Sequence, residues 1–379
     1  MDVRLTQDQM LLRDSVREFL QQECPIQRIR TIAEGGYDEA DALWAGVSEL
    51  GWPGLTLPAE YGGAGLDLVD LAVVFEEAGA ALFPSSLFST VALGAPCVLL
   101  AGSPQQKTDL LPAIAKGALR LTLAQLEDNN GWGSEHLGQF ADRSPDGFLL
   151  NGRKHHVLDA NTSDWLVVVV RTQPGSEGSE GLSLLLVAAD SPGISIRRTG
   201  FLDGTRSACA VEFRDVRVPV DHLLGAEGGG GGILRQVLAG ARVALCAEMT
   251  GGAQRVLDLS VAHAKERKQF GRPIGSFQAI AHKCADMLVR VEGARSATYY
   301  AAWTQANGLP DADTASCLAK AYCSDAYAQV AGDAIQIHGG LGFTWEEDPH
   351  LYFRRAKTSE HLLGDAAWHR ELAARALLD

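Results

Sequence analysis

The sequence predicts an α+β fold in three parts: an N-terminal α-helical domain over residues 1–118, a middle antiparallel β-domain over 119–225, and a C-terminal four-helix bundle over 226–379. Two observations carry this. Apolar residues recur at helical spacing up to about residue 118, alternate with polar ones and become β-branched up to about 225, then return to helical spacing. A run of five glycines, residues 228–232, marks the second change. Helices, then strands, then helices is an α+β order.

Each element has a local reason. Thr6 and Gln9 form a capping-box pattern ahead of Met10, Leu11, Val16, Phe19 and Leu20, so a helix starts there. A second amphipathic stretch covers 41–50. Residues 51–65 hold too much glycine and proline for helix, and helices resume at 68–80 and 92–100. In the middle region, Phe148-Leu-Leu-Asn-Gly-Arg-Lys154 reads as a hairpin turning at Asn151-Gly152. Further strands are expected at 165–171, 182–187, 193–198 and 208–213, with 175–181 as a flexible connection. The glycine run reads as a domain-boundary loop, since no Lys-Ser/Thr follows it as a phosphate-binding loop requires. Four long helices follow at 233–265, 275–306, 311–337 and 348–375.

At 379 residues the chain can bury roughly 75% of its unfolded surface. Its 33 Lys and Arg against 47 acidic residues give a formal charge of −14. That balance excludes nucleic acid or an anionic membrane as the main partner. No apolar run reaches the ~20 residues that span a bilayer, and the first ten residues have no signal-peptide core. The seven cysteines are scattered, with no CxxC pair, which predicts reduced thiols and a cytoplasmic protein without a structural metal. His155-His156 is read as a packed or solvated pair, because adjacent strand positions face opposite ways.

Two C-terminal segments carry the chemistry. Glu266-Arg-Lys-Gln-Phe-Gly-Arg-Pro-Ile-Gly-Ser-Phe-Gln278 places the fixed cation of Arg267 beside Phe270 and Gly271. Gln336-Ile-His-Gly-Gly-Leu-Gly-Phe-Thr344 offers bare backbone at Gly339 and Gly340. Cation, aromatic face and open main chain suit a pyrophosphate-bearing dinucleotide.

With these residues the chain resembles the acyl-CoA dehydrogenases over nearly its whole length. Pro58-Ala-Glu-Tyr-Gly-Gly63, Leu150-Asn-Gly-Arg-Lys154 and the exit from the β-domain over 213–224 are similar to that family's motifs, and the two C-terminal segments match its strongest signatures. The resemblance implies FAD as cofactor and dimers or dimers of dimers, homo- or hetero-oligomeric. It assigns Arg267, Gln269, Phe270, Gln278, Gln336, Gly339 and Gly340 to the adenine and pyrophosphate end of an FAD whose ring lies on a neighbouring chain. It also implies an acyl-CoA substrate, α,β-dehydrogenation with hydride passing to the flavin, and an electron-transfer flavoprotein as acceptor.

The sequence departs from the family at the reacting centre. Aligning Arg354-Arg-Ala-Lys357 puts Leu363 where the family's catalytic glutamate stands, and leucine cannot accept a proton. The alternative glutamate position reads Ala241, before Arg242. The flavin-ring segments are altered over 126–134 and at His156-Val157-Leu158. Asp365, Glu360 and Glu127 are candidate replacement bases, Asp365 foremost, with pairing to Arg370 as its structural alternative. Erosion of the ring side beside a kept pyrophosphate side resembles the partner subunits of two-gene, hetero-oligomeric members acting on bulky acyl-CoA or steroid side chains. A non-catalytic, FAD-completing subunit therefore stands as the alternative to a self-sufficient dehydrogenase, with a flavin monooxygenase of the same fold as a third reading.

Overall fold

The computed structural model describes residues 5–36, 38–128 and 131–378. In chain order the helices of the first part are α1 (Gln7–Glu23), α2 (Ile26–Ala33), α3 (Asp38–Glu49), α4 (Leu68–Ala80), α5 (Ala95–Ala101) and α6 (Pro104–Ala115), with a π-helical turn, Phe88–Gly94, leading into α5. The strands are β1 (Leu121–Ala124), β2 (Ala141–Ser144), β3 (Gly147–Leu158), β4 (Trp165–Arg171), β5 (Leu182–Ala188), β6 (Ile194–Thr199), β7 (Ala208–Pro219) and β8 (Leu223–Leu224). The last part holds α7 (Gly230–Glu266), the two-residue strands β9 (Lys268–Gln269) and β10 (Arg272–Pro273), α8 (Gln278–Ala306), α9 (Ala312–His338), α10 (Pro349–His361) and α11 (Ala366–Leu378). The helix–strand–helix order is the one expected. The chain packs into two compact units, one from Met1–Gly35, Asp67–Phe83 and Arg242–Asp379, the other from Gly36–Leu66 and Pro84–Ala241.

The first unit is helical. Thr6 Oγ1 accepts from Gln9 N (3.2 Å) while Gln9 Oε1 accepts from Thr6 N (3.0 Å), closing the capping box. Such a cap stabilises a helix start by about 1 kcal/mol. Gln9 Nε2 donates to Asp70 Oδ1 (2.9 Å) and Arg17 grips Glu77 with two bonds (3.0 and 2.7 Å), tying α1 to α4. The α4 and α7 backbones touch. A Cβ on Gly79 would lie 1.9 Å from Glu248 O, and one on Gly251 1.7 Å from Glu76 O, so only glycine allows this crossing. Beside it Arg355 Nη1 donates to Glu248 Oε1 (2.6 Å) in a buried ion pair.

The second unit holds two four-stranded sheets, ordered β1-β4-β5-β8 and β2-β3-β7-β6. All pairs are antiparallel except β1 with β4. Phe148, Leu150, Val211, Phe213 and Val216 from one sheet and Leu166, Val168, Val170, Leu185 and Val187 from the other form one apolar core.

Three local expectations are corrected. Asn151-Gly152 is not a hairpin turn. Asn151 is captured across the sheet, its Nδ2 donating to Asp215 Oδ1 (3.1 Å) and its Oδ1 accepting from Asp215 N (2.8 Å). Gly152, at φ +134, takes up the register shift inside the continuous strand β3. The glycine run is not wholly a loop, since its last three residues form the first turn of α7. The helix expected at 348–375 breaks at 362–365 into α10 and α11, making five long or medium helices after residue 226 in place of four. Among the described residues no helix is long and apolar enough to cross a membrane.

Candidate functional site

The arginine segment folds as a miniature hairpin. β9 and β10 pair Gln269 with Arg272 and Lys268 with Pro273, leaving a two-residue turn. Phe270 and Gly271 fill it with φ of +53 and +78, as a type I′ turn requires. Glycine adopts this backbone freely, whereas phenylalanine does so at a cost of roughly 1–2 kcal/mol. The cost recovers little burial, because Phe270 is 92% exposed. Its ring meets Phe277 edge-on (6.1 Å), and Phe277 in turn carries the Arg272 guanidinium at 4.1 Å. The hairpin is anchored by Arg267 N donating to His263 O and Ile274 N donating to Arg267 O, both 2.8 Å. Gln278 follows as the first residue of α8.

The second segment sits at the end of α9. Gln336 lies exposed in its last turn, and Gly339 ends the helix at φ +64, ψ −139, a region closed to residues with a Cβ. Chain neighbours aside, no atom of the described residues lies within 4 Å of where a Cβ would stand on Gly339 or Gly340. The two segments are joined by stacked imidazoles: His263, near the end of α7, lies 4.3 Å from His338, the last residue of α9, at 28° between planes. His338 Nδ1 is 2.8 Å from Ala334 O. Burial, then the neighbouring His338, lowers the His263 pKa. The side chains of Arg267, Gln269, Gln278 and Gln336 are exposed and make no hydrogen bond or ion pair among the described residues. A free guanidinium, free amides, a displayed aromatic ring and open main chain, all at one joint, are the complement of an anionic ligand with an aromatic end.

The segment carrying Leu363 is built differently. Leu363 and Gly364 both have positive φ, +60 and +103, which ends α10 and starts α11. Asp365 Oδ1 accepts from Trp368 N (2.8 Å) and so caps α11; its Oδ2 has no partner among the described residues. The expected pairing of Asp365 with Arg370 does not form, because Arg370 reaches Asp325 instead. Glu360 pairs with Lys357. Asp365 makes no hydrogen bond or ion pair with the residues of the arginine and glycine segments.

In the β-unit, Glu127 is absorbed structurally. It accepts from Lys154 Nζ (2.7 Å) and from the backbone of Gly138 (2.9 Å) and Gln139 (3.0 Å). Burial pulls the Lys154 pKa down to about 8 against the pull of Glu127. Asn129 and Asn130 of the altered 126–134 segment lie outside the described residues. His155 and His156 occupy a second register shift of β3; His155 pairs with Asp128, and His156, at φ +50, stacks on Phe201 at 5.8 Å. Among the described residues no cluster of His, Cys, Asp or Glu could hold a metal.

Two groups escaped the sequence reading. Asp159, also at positive φ, accepts from Ser89 Oγ (2.6 Å), and burial raises its pKa to about 6. Lys320 is fully buried at the foot of the 362–365 turn. A helical lysine ordinarily signals a solvated face, so only the fold exposes its role.

Known proteins place this geometry in context. Family models for the N-terminal, middle and C-terminal domains of acyl-CoA dehydrogenase match residues 6–118, 127–216 and 228–378. A probable acyl-CoA dehydrogenase of Bacillus subtilis (strain 168) is 33% identical, with each chain covered in full. The structure of butyryl-CoA dehydrogenase from Megasphaera elsdenii superimposes with a TM-score of 0.92 at 28% identity over all of both chains. The FAD complex of PigA superimposes with a TM-score of 0.90 at 25% identity, over 100% of this chain and 99% of that one.

Proposed function

Because the chain belongs to the acyl-CoA dehydrogenase family, we propose that it removes one hydrogen each from the α- and β-carbons of an acyl-CoA thioester with FAD as cofactor. The observation that carries this reading is the joint of Arg267, Phe270, Gly339 and Gly340, held by the His263–His338 stack, with the Arg267 side chain making no hydrogen bond or ion pair among the described residues and open space beside both glycines. Arg267 would neutralise the pyrophosphate, Gly339 and Gly340 would admit it to the main chain, and Phe270 with Gln269, Gln278 and Gln336 would hold the adenine end. When bound, the flavin supplies the two-electron acceptor for the β-hydrogen. The resemblance that names these residues also has them serve a same-family subunit, with an electron-transfer flavoprotein downstream.

The chain's own contribution to chemistry is a proton acceptor. Leu363 cannot serve, and Asp365 offers the carboxylate of the same turn, with Oδ2 free while Oδ1 caps α11. General-base catalysis is worth about 10²–10⁴-fold. Asp365→Asn keeps a capping oxygen, so it should retain flavin and lose about 100-fold or more in turnover; unchanged turnover removes Asp365 from that role.

The apolar residue at Leu363 favours a second reading, a non-catalytic subunit completing the FAD site of a catalytic partner. One experiment separates them. The chain is purified alone, its visible spectrum recorded, and short, branched and alicyclic acyl-CoAs are added without oxygen. Flavin that bleaches supports the dehydrogenase. A colourless protein that gains flavin only with a same-family partner chain supports the subunit.

A further inference from the structure

The break between α10 and α11 is held by side chains that no recognised motif includes. Lys320, on α9, donates from Nζ to Ser324 Oγ (2.9 Å), Glu360 O (3.1 Å) and Gly364 O (2.8 Å). His369 Nε2, on α11, lies 2.9 Å from Leu363 O. Three carbonyls of one six-residue segment, at 360, 363 and 364, are thus gripped by two buried side chains. The backbone between them is strained, with leucine and glycine in succession at positive φ. It is also walled in: a Cβ on Gly364 would lie 2.4 Å from the Trp368 ring and 2.9 Å from His369 Nε2.

The ammonium is costly where it stands. Lys320 has no exposed surface and no carboxylate within hydrogen-bond reach. Burying an ammonium without a carboxylate costs free energy that only its hydrogen bonds to the surrounding oxygens can offset. Its three protons match three acceptors, two of them on the turn, which a methionine or leucine could not hold.

We infer that Lys320 is the positioning residue of the 360–365 segment, its ammonium fixing the backbone that presents position 363 and Asp365. The inference rests on the proposed function only for what that segment does, and not for the contact itself. A neutral amine has two protons, enough for the two carbonyls while the Ser324 hydroxyl turns to donate to its lone pair, but the carbonyls then lose a charge-assisted donor and are held more weakly. The charged and titratable groups around Nζ are Cys246 and Arg242 on α7, Cys323 on α9, Glu360 on α10, Asp365 in the turn and His369 on α11. Burial lowers the Lys320 pKa to about 8, against the pull of Cys246, Cys323, Asp365 and Glu360. His369 is held neutral, its pKa lowered to about 3 by burial, then by Arg242 and Lys320, so it does not titrate in the same range. The segment should therefore loosen between about pH 7 and 9.

Trp368 reports on this directly, because its ring packs on Gly364. The chain is labelled with 5-fluorotryptophan, and the Trp368 fluorine signal, assigned by Trp368→Phe, is followed with pH. In the wild type it should shift with a midpoint near 8. In Lys320→Met the signal should already be displaced and pH-independent, and Lys320→Arg should return it toward the wild-type position and carry it past pH 9 without a transition. In parallel, acyl-CoA-dependent flavin reduction should lose at least tenfold in kcat with little change in KM in Lys320→Met, and its alkaline decline should vanish. A Trp368 signal that is flat with pH in the wild type overturns the inference, and this needs no variant to fold. A titrating signal with no flavin reduction by any acyl-CoA leaves the positioning role standing and removes the dehydrogenase reading. Flavin reduction with the same kcat and pH profile in wild type and Lys320→Met removes the positioning role and leaves the dehydrogenase reading standing.

Discussion

Phe270 shows how one residue can trade stability for display. Its left-handed backbone is the conformation that asparagine tolerates best in a type I′ turn, and its ring is almost wholly exposed. Phe270→Asn should therefore raise stability by up to about 1 kcal/mol, read as a higher denaturation midpoint. The same change should weaken FAD binding about three- to tenfold, the ~0.5–1.5 kcal/mol of an aromatic contact, read by titrating the apoprotein with FAD. Stability and affinity falling together would mean that the ring packs within its own chain. Glu248 behaves oppositely. It is buried against Arg355 at the α4–α7 crossing, and Glu248→Gln removes the negative charge that faces the buried guanidinium. A loss of about 3–5 kcal/mol is expected in chemical denaturation.

Among the elements, those with a single strong local signal were legible in the sequence. The capping box at Thr6 placed α1, and periodicity placed α4, α8 and α9, because nothing tertiary competes with those signals. The exposed cation of Arg267 and the open backbone at Gly339 were legible for the same reason: both are read from residue type and order. The misreadings fall where a distant partner decides. Asn-Gly favours a hairpin turn until Asp215 captures Asn151 and the strand continues through. Leu362 and Leu363 favour helix, so periodicity ran one helix through 362–365, where the resemblance placed a turn and Lys320 and His369 hold its carbonyls. That break predicts its own sensitivity. Gly364→Ala places a Cβ against Trp368 and His369 on a backbone closed to alanine, and should cost roughly 1–3 kcal/mol or more of stability. An unchanged thermal midpoint would show the turn to be adaptable.

For the whole molecule, two kinds of buried charge give stability opposite slopes with pH. Asp159 has its folded pKa raised to about 6 from 3.8, so the folded state binds the proton more tightly than the unfolded state. Its contribution is fully present below about pH 4 and is lost as pH rises through about 6. Asp159→Asn should stabilise the protein by about 1–3 kcal/mol at pH 7 and leave it unchanged near pH 4. Lys154 and Lys320 have folded pKa values lowered to about 8 from 10.5, so burial of their charge costs stability below about pH 8, and that cost is relieved as pH rises toward 10.5. The alkaline gain in global stability should shrink in Lys320→Met, even though the same deprotonation loosens the 360–365 segment in the wild type. Denaturation midpoints at matched pH measure both differences.

The central claim is that this chain dehydrogenates an acyl-CoA thioester. It is tested most directly by the product. The flavin-loaded chain, purified without any partner, is incubated with a panel of acyl-CoAs and an artificial electron acceptor, and the thioesters are weighed by mass spectrometry. The account predicts at least one acyl-CoA lighter by two hydrogens, formed in proportion to acceptor reduced and greatly diminished in Asp365→Asn. Recovery of every acyl-CoA unchanged from a chain that holds flavin would contradict it.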